Sequence, residues 1–141
     1  MASELEEKEA IRELMSAYCF HLDNGEFDKF AGLFTEDAIF EAGPFGKLQG
    51  RRAIDDFIKA QVPCPGEGPA RKHCTFNHVI RVSGSEAHAD SYIVVVRESS
   101  AGIIASLAGR YEDLLVKEAG GWRFKVRKIH FDISSDLGLK Q

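Results

Sequence analysis

Chemistry in this chain would start from a histidine and an aspartate. His73 stands near the beginning of RKHCTFNHVIRV, Arg71–Val82, which reads as a β-strand. Asp23 closes the first apolar-periodic stretch, and nothing else upstream pairs as naturally with a histidine. Histidine titrates near neutral pH, so it is the natural side chain for taking a proton from carbon. A carboxylate on one ring nitrogen would fix the tautomer and stabilise the imidazolium once the proton arrives. Such a pair calls for no metal and no cofactor. Asn77 lies four residues beyond His73, on the same face of an unbroken strand.

Each of these residues also has a plain structural reading. Asp23 opens Asp-Asn-Gly, a composition that ends helices whatever the function. His73 is flanked by Arg71 and Lys72 and can face solvent. Asn77 suits a hydrogen bond to backbone. His73, Thr75 and Asn77 share one face, opposite Cys74, Phe76, Ile80 and Val82. A polar face lines a wet pocket or meets bulk water, and the residues alone leave both open. His78 and His88 read as surface or interface residues, and His21 as a residue of the pocket edge.

The elements that must position these groups follow from periodicity. Ser3 to Asn24 reads as a helix with Ile11, Leu14, Met15, Tyr18, Cys19 and Leu22 in one stripe. Asn24-Gly25 ends it. A short helix is expected over Phe27–Phe34, a strand over Ala38–Ala42, a weak strand over Lys47–Gly50 and a third helix over Arg51–Ala60. The nine residues Val62–Ala70 hold three prolines and two glycines, which excludes regular structure and places a loop there. Four long strands follow, over Arg71–Val82, Glu86–Arg97, Ile103–Lys117 and Trp122–Ile133, with glycine at every break. In the last strand the apolar alternation Trp122, Phe124, Val126 slips by one residue before Ile129, Phe131, Ile133. That slip predicts a β-bulge near Arg127-Lys128, which would aim Arg127 or His130 inward. The tail from Ser134 to Gln141 reads as polar and loosely held.

Bulk properties narrow the class. The chain has 141 residues, which fits one domain with its core over about residues 5–133. A net charge of −4 argues against nucleic acid as a partner. Cys19, Cys64 and Cys74 have neither disulfide nor zinc spacing, the start is not a signal peptide, and no apolar run would span a membrane. A cytoplasmic protein is the expectation. Ten phenylalanines, with Phe34 and Phe57 on inner faces, suit an apolar cavity and equally a plain core.

Two stretches carry a family resemblance. EFDKFAGLFTEDAIFE resembles an early segment, and GRYEDLLVKEAGGWRFKVRKI (Gly109–Ile129) a closing hairpin, of the nuclear-transport-factor-2-like superfamily. Within it the chain is similar to the SnoaL-like branch that contains scytalone dehydratase, bile-acid 7α-dehydratase and hexachlorocyclohexane dehydrochlorinase. The resemblance implies an α+β fold: a cone-shaped, curved, mixed and mostly antiparallel sheet covered by three N-terminal helices, a cystatin-like α+β barrel enclosing a pocket. It implies that Asp23 and His73 form a catalytic dyad with Tyr18 as a hydrogen-bond donor. Arg127, Asn77, Phe34, Phe57 and His130 would then contact substrate. Tyr18, in an apolar stripe, reads equally as core. One departure is that Ile103–Lys117 carries no histidine where scytalone dehydratase has its second pocket histidine. The implied activity is cofactor-independent β-elimination of the dehydratase type on a small, apolar, cyclic molecule, by a homodimer or homotrimer. A ketosteroid-isomerase-like isomerase or polyketide cyclase could use the same dyad. A non-catalytic small-molecule-binding or subunit-association module is the third reading, and it expects the dyad apart or the cavity missing.

Overall fold

A computed structural model describes residues 2–140. Helix α1 spans Glu4–Asp23. The Ser3 hydroxyl accepts a hydrogen bond from the Glu6 amide, and Glu4, Glu6 and Glu7 face the positive end of the helix dipole. Its whole apolar stripe, from Ile11 to Leu22, is buried. The helix stops at Asn24, because Gly25 turns the chain with φ +73°. A Cβ on Gly25 would also lie 3.0 Å from Pro65 Cδ, so the helix end and the proline-rich loop pack directly on each other.

Helix α2 is only Phe27–Ala31, shorter than its sequence suggests. Gly32 ends it, and the Leu33 carbonyl then accepts from the Phe124 amide at 2.9 Å. Phe34 therefore opens strand β1, Phe34–Glu41, instead of closing a helix. A short 3-10 turn (Gly43–Phe45), β2 (Lys47–Gln49) and α3 (Arg51–Gln61) follow. The meander is β3 (Arg71–Ser83), β4 (Glu86–Ser99), β5 (Gly102–Glu118) and β6 (Gly121–Ser134).

These strands make one six-stranded sheet in the order β2-β1-β6-β5-β4-β3. Only β1 and β6 run parallel; every other neighbouring pair is antiparallel. The sheet is open, with β2 and β3 at its edges, and the helices cover its inner face. Helix α1 packs chiefly along β3, which brings the helix end beside the start of that strand. Phe30, Phe34 and Phe124 are fully buried with Ile11 and Met15 at the centre of the core. Among the described residues no helix is long and apolar enough to cross a membrane.

Two of the sheet's bulges bear on the expected site residues. In β6, Leu114 of β5 faces Val126 while Leu115 faces Phe124, so Lys125 is the extra residue. The bulge thus falls slightly before the expected Arg127-Lys128, and it lets both Phe124 and Arg127 enter the core. In β3 the register slips between Phe76 and Val79, and Asn77 takes a left-handed φ of +60°. Asparagine tolerates that backbone better than most residues. The slip breaks the expected alternation. His78 and Ile80 join His73 and Thr75 on the inner side, while Asn77 is exposed.

The tail is held rather than loose. Arg97 Nε and Nη2 donate to the Asp136 carbonyl at 2.9 and 2.7 Å. Arg71 donates to the carbonyls of Leu137 and Gly138 at 3.0 and 2.8 Å. The Lys140 amide reaches the Gln61 carbonyl at 3.1 Å.

Candidate active site

Asp23 sits at the negative end of the α1 dipole, where a carboxylate is disfavoured unless donors meet it. Two donors do, and both come from His73. Its ring Nδ1 lies 2.6 Å from Asp23 Oδ1, and its backbone N–H donates to Oδ2 at 2.9 Å. The two side chains are 7% and 13% exposed, so water competes weakly for the contact. An ionised carboxylate only accepts, so Nδ1 must carry the hydrogen. The lone pair is then on Nε2, the form a general base requires.

His73 opens onto an apolar cavity of about 100 Å³. Its wall includes Phe40, Phe57, Leu107, Ile129 and Phe131, with Tyr18 and Tyr111 supplying hydroxyl groups. Leu137 and Leu139 of the tail close one side, and Arg71 lies at the same rim. The Tyr111 hydroxyl donates towards Tyr18 Oη at 3.5 Å. Burial pushes the Tyr18 phenol up to about 12, against an opposing pull from Arg127, so it is a neutral donor at working pH.

Behind these phenols lies a buried charge. The Arg127 guanidinium carbon is 3.4 Å from the Tyr111 ring centre, 4.1 Å from Tyr18 and 4.3 Å from Phe124. Asp113 Oδ1 is 3.1 Å from Arg127 Nε, close enough for an ion pair but without an aligned hydrogen bond. Burial works against the Arg127 charge, and the neighbouring Asp113 carboxylate leads what outweighs it. Burial also pushes the Asp113 carboxyl up to about 7, with Arg127 pulling it down.

The structure thus gathers Asp23, His73, Tyr18 and Phe57 at one cavity and separates the other candidates. Phe34 is wholly inside the ring cluster with Phe30, Phe40 and Phe124 and does not line the cavity. Of the two residues the shifted alternation left open, Arg127 faces inward, but it stands behind the tyrosine rings instead of in the wall. Asn77 faces outward, because of its bulge. His130 pairs with Glu112 across β5 and β6, away from the cavity. His21 bonds Glu26 at 3.2 Å and is also outside the wall. Tyr111, Ser106, Leu137 and Leu139 line the cavity without having been singled out. Tyr111 had a usable signal, since Tyr111, Asp113 and Leu115 alternate along the strand, and all three are buried. Among the described residues no three His, Cys, Asp or Glu side chains gather as metal ligands would.

Comparison with known proteins adds three likenesses to a family match. A model of the SnoaL-like domain matches residues 3–128. The small subunit of anthranilate 1,2-dioxygenase from Burkholderia cepacia is 26% identical over 136 residues, 86% of this chain and 84% of that one. A candidate scytalone dehydratase from Novosphingobium aromaticivorans is 28% identical with a TM-score of 0.81, over 96% of this chain and 91% of that one. A nuclear-transport-factor-2-like protein with a cystatin-like fold from the same bacterium is 24% identical with a TM-score of 0.80, over 95% and 87% of the two chains.

Proposed function

The chain belongs to the SnoaL-like domain family, and on that premise we propose that it is a cofactor-independent lyase of the dehydratase type. The family includes dehydratases, isomerases and polyketide cyclases. The observation that carries the reading is the Asp23–His73 contact beside an apolar cavity. His73 Nε2 takes a proton from a carbon of the substrate. Asp23 holds the ring and offsets the charge that the ring gains. The substrate is small and apolar, in keeping with a wall built largely from phenylalanine, leucine and isoleucine. A homodimer or homotrimer is the expected state in solution.

The test is product mass. Cyclic β-hydroxy ketones and lactones incubated with the purified protein should lose one water. Unchanged mass with a moved double bond would assign the chain to the isomerases instead.

The likeness to a dioxygenase small subunit supports a second reading, a non-catalytic subunit of a larger enzyme. That reading gives the dyad no chemical role, and it predicts no turnover of any of these compounds. The hydrogen-bonded dyad and its cavity favour the first.

A further inference from the structure

Arg71 of β3 and Arg97 of β4 are directly opposed across the sheet, on its inner side. Like charges so placed repel each other. Among the described residues the one carboxylate paired with either is Asp136, whose Oδ2 lies 3.5 Å from Arg97 Nη2. Arg97 is 7% exposed and committed to backbone: it donates to the Asp136 carbonyl at 2.9 and 2.7 Å and to the Glu98 carbonyl at 2.7 Å.

Arg71 is placed differently. It is half-buried and lines the cavity. Its Nη1 donates to the Leu137 carbonyl and its Nη2 to the Gly138 carbonyl. A guanidinium carries five N–H groups, so these two bonds leave donors for another partner. Burial and the neighbouring Arg97 both work against the Arg71 charge, while Asp23 favours it. Both Asp23 oxygens are already taken by His73. The tail carbonyls thus fix the guanidinium at the rim without neutralising it, which is the condition in which an arginine binds an anion most usefully.

We propose that Arg71 is a specificity-determining residue that binds a carboxylate of the substrate at the cavity rim. A planar carboxylate accepts two parallel bonds from a guanidinium, and the second positive charge at Arg97 adds to the attraction. Arg71 and His73 are two residues apart on one face of β3, so their side chains leave the strand about 6–7 Å apart. The substrate therefore carries its acidic C–H on the apolar body and its carboxylate several bonds away from that carbon. This rests on His73 as the base and adds one charged end to the apolar molecule that the cavity wall selects. The carboxylate orients the substrate and takes no part in bond making or breaking.

The probes are benzoate and benzamide, one ring with and without the charge, titrated calorimetrically into the full chain. Wild-type protein should bind benzoate about tenfold or more tighter than benzamide, and added salt should weaken benzoate alone. Arg71→Gln should bring benzoate down to the level of benzamide and leave benzamide unchanged. Arg71→Lys, which keeps the charge, should retain part of the preference for benzoate. A residue that merely tethers the tail would weaken both probes alike. That result in Arg71→Gln would overturn the anchor, as would equal affinity of the wild type for both probes or absence of benzoate binding. Phenyl phosphate bound more tightly than benzoate would overturn the carboxylate assignment. His73→Ala should bind benzoate with nearly wild-type affinity while losing turnover. If His73→Ala keeps turnover while Arg71→Gln loses benzoate, the base assignment fails and the carboxylate anchor stands.

Discussion

Asp23 grips His73 through both carboxylate oxygens, one on the ring nitrogen and one on the backbone amide, across fifty positions of chain. The amide bond fixes where the strand starts relative to the helix end. The ring bond fixes the tautomer. One carboxylate therefore serves both docking of α1 on β3 and the ring orientation that the proposed base needs.

Asp23→Asn separates those two services. An amide has one acceptor oxygen, so it cannot serve both donors. If that oxygen stays on the backbone N–H, the amide nitrogen faces Nδ1 and drives the ring hydrogen to Nε2, removing the base. We expect turnover to fall on the order of 10²–10⁴-fold. The loss in denaturant stability should stay within about 1–3 kcal/mol. Steady-state kinetics and urea unfolding on the same preparation measure the two effects.

The Arg127–Asp113 pair should respond asymmetrically to removal of each partner. A stranded carboxyl can take up a proton, whereas a stranded guanidinium stays charged. Asp113→Leu should therefore cost about 3–5 kcal/mol, and Arg127→Leu less. The double variant should recover part of the Asp113→Leu loss. A double-mutant cycle in urea gives all three values.

Asp113 also predicts a slope with pH. Its carboxyl is pushed by burial from 3.8 to about 7, so the folded chain holds more proton than the unfolded chain between those values. The stability it contributes is fully present below 3.8 and is lost as pH rises through about 7. The stability difference between wild type and Asp113→Asn should therefore decline over that window and level off above it. Urea unfolding at intervals from about pH 3 to about pH 8, which spans both ends of the transition, supplies the curve.

The tail should matter to ligands more than to folding. Leu137 and Leu139 complete the cavity wall, and Arg71 and Arg97 hold the backbone beside them. Truncation after Asp136 should raise KM several-fold, roughly the effect of removing two apolar contacts. Thermal unfolding should show that the truncated chain is still folded.

The outer sheet face should set the oligomer. Phe76, Tyr92 and Ile133 lie exposed beside one another there. Light scattering should give a dimer or trimer, and Ile133→Glu should shift it towards monomer.

Local chemistry carried most of the fold into view. Glycine-marked turns made the meander readable, and Ser3 and Asn24-Gly25 marked both ends of α1. What stayed hidden depends on partners far along the chain. Asn77 looked like a pocket residue until a left-handed backbone inserted a bulge; the offset between His73-Thr75 and Ile80-Val82 was its only trace. The tail is polar in composition, and nothing local shows that Arg71 and Arg97 hold its carbonyls. The shifted alternation left Arg127 and His130 both open as the inward residue, and the place of Arg127 behind Tyr111 depends on Lys125 being the bulged residue.

The most direct test is turnover by His73→Ala, compared with wild type on a substrate shown to lose water, with folding checked by thermal unfolding. The dyad account predicts a folded variant slowed on the order of 10²–10⁴-fold. A folded His73→Ala protein that still releases water at the wild-type rate would contradict it.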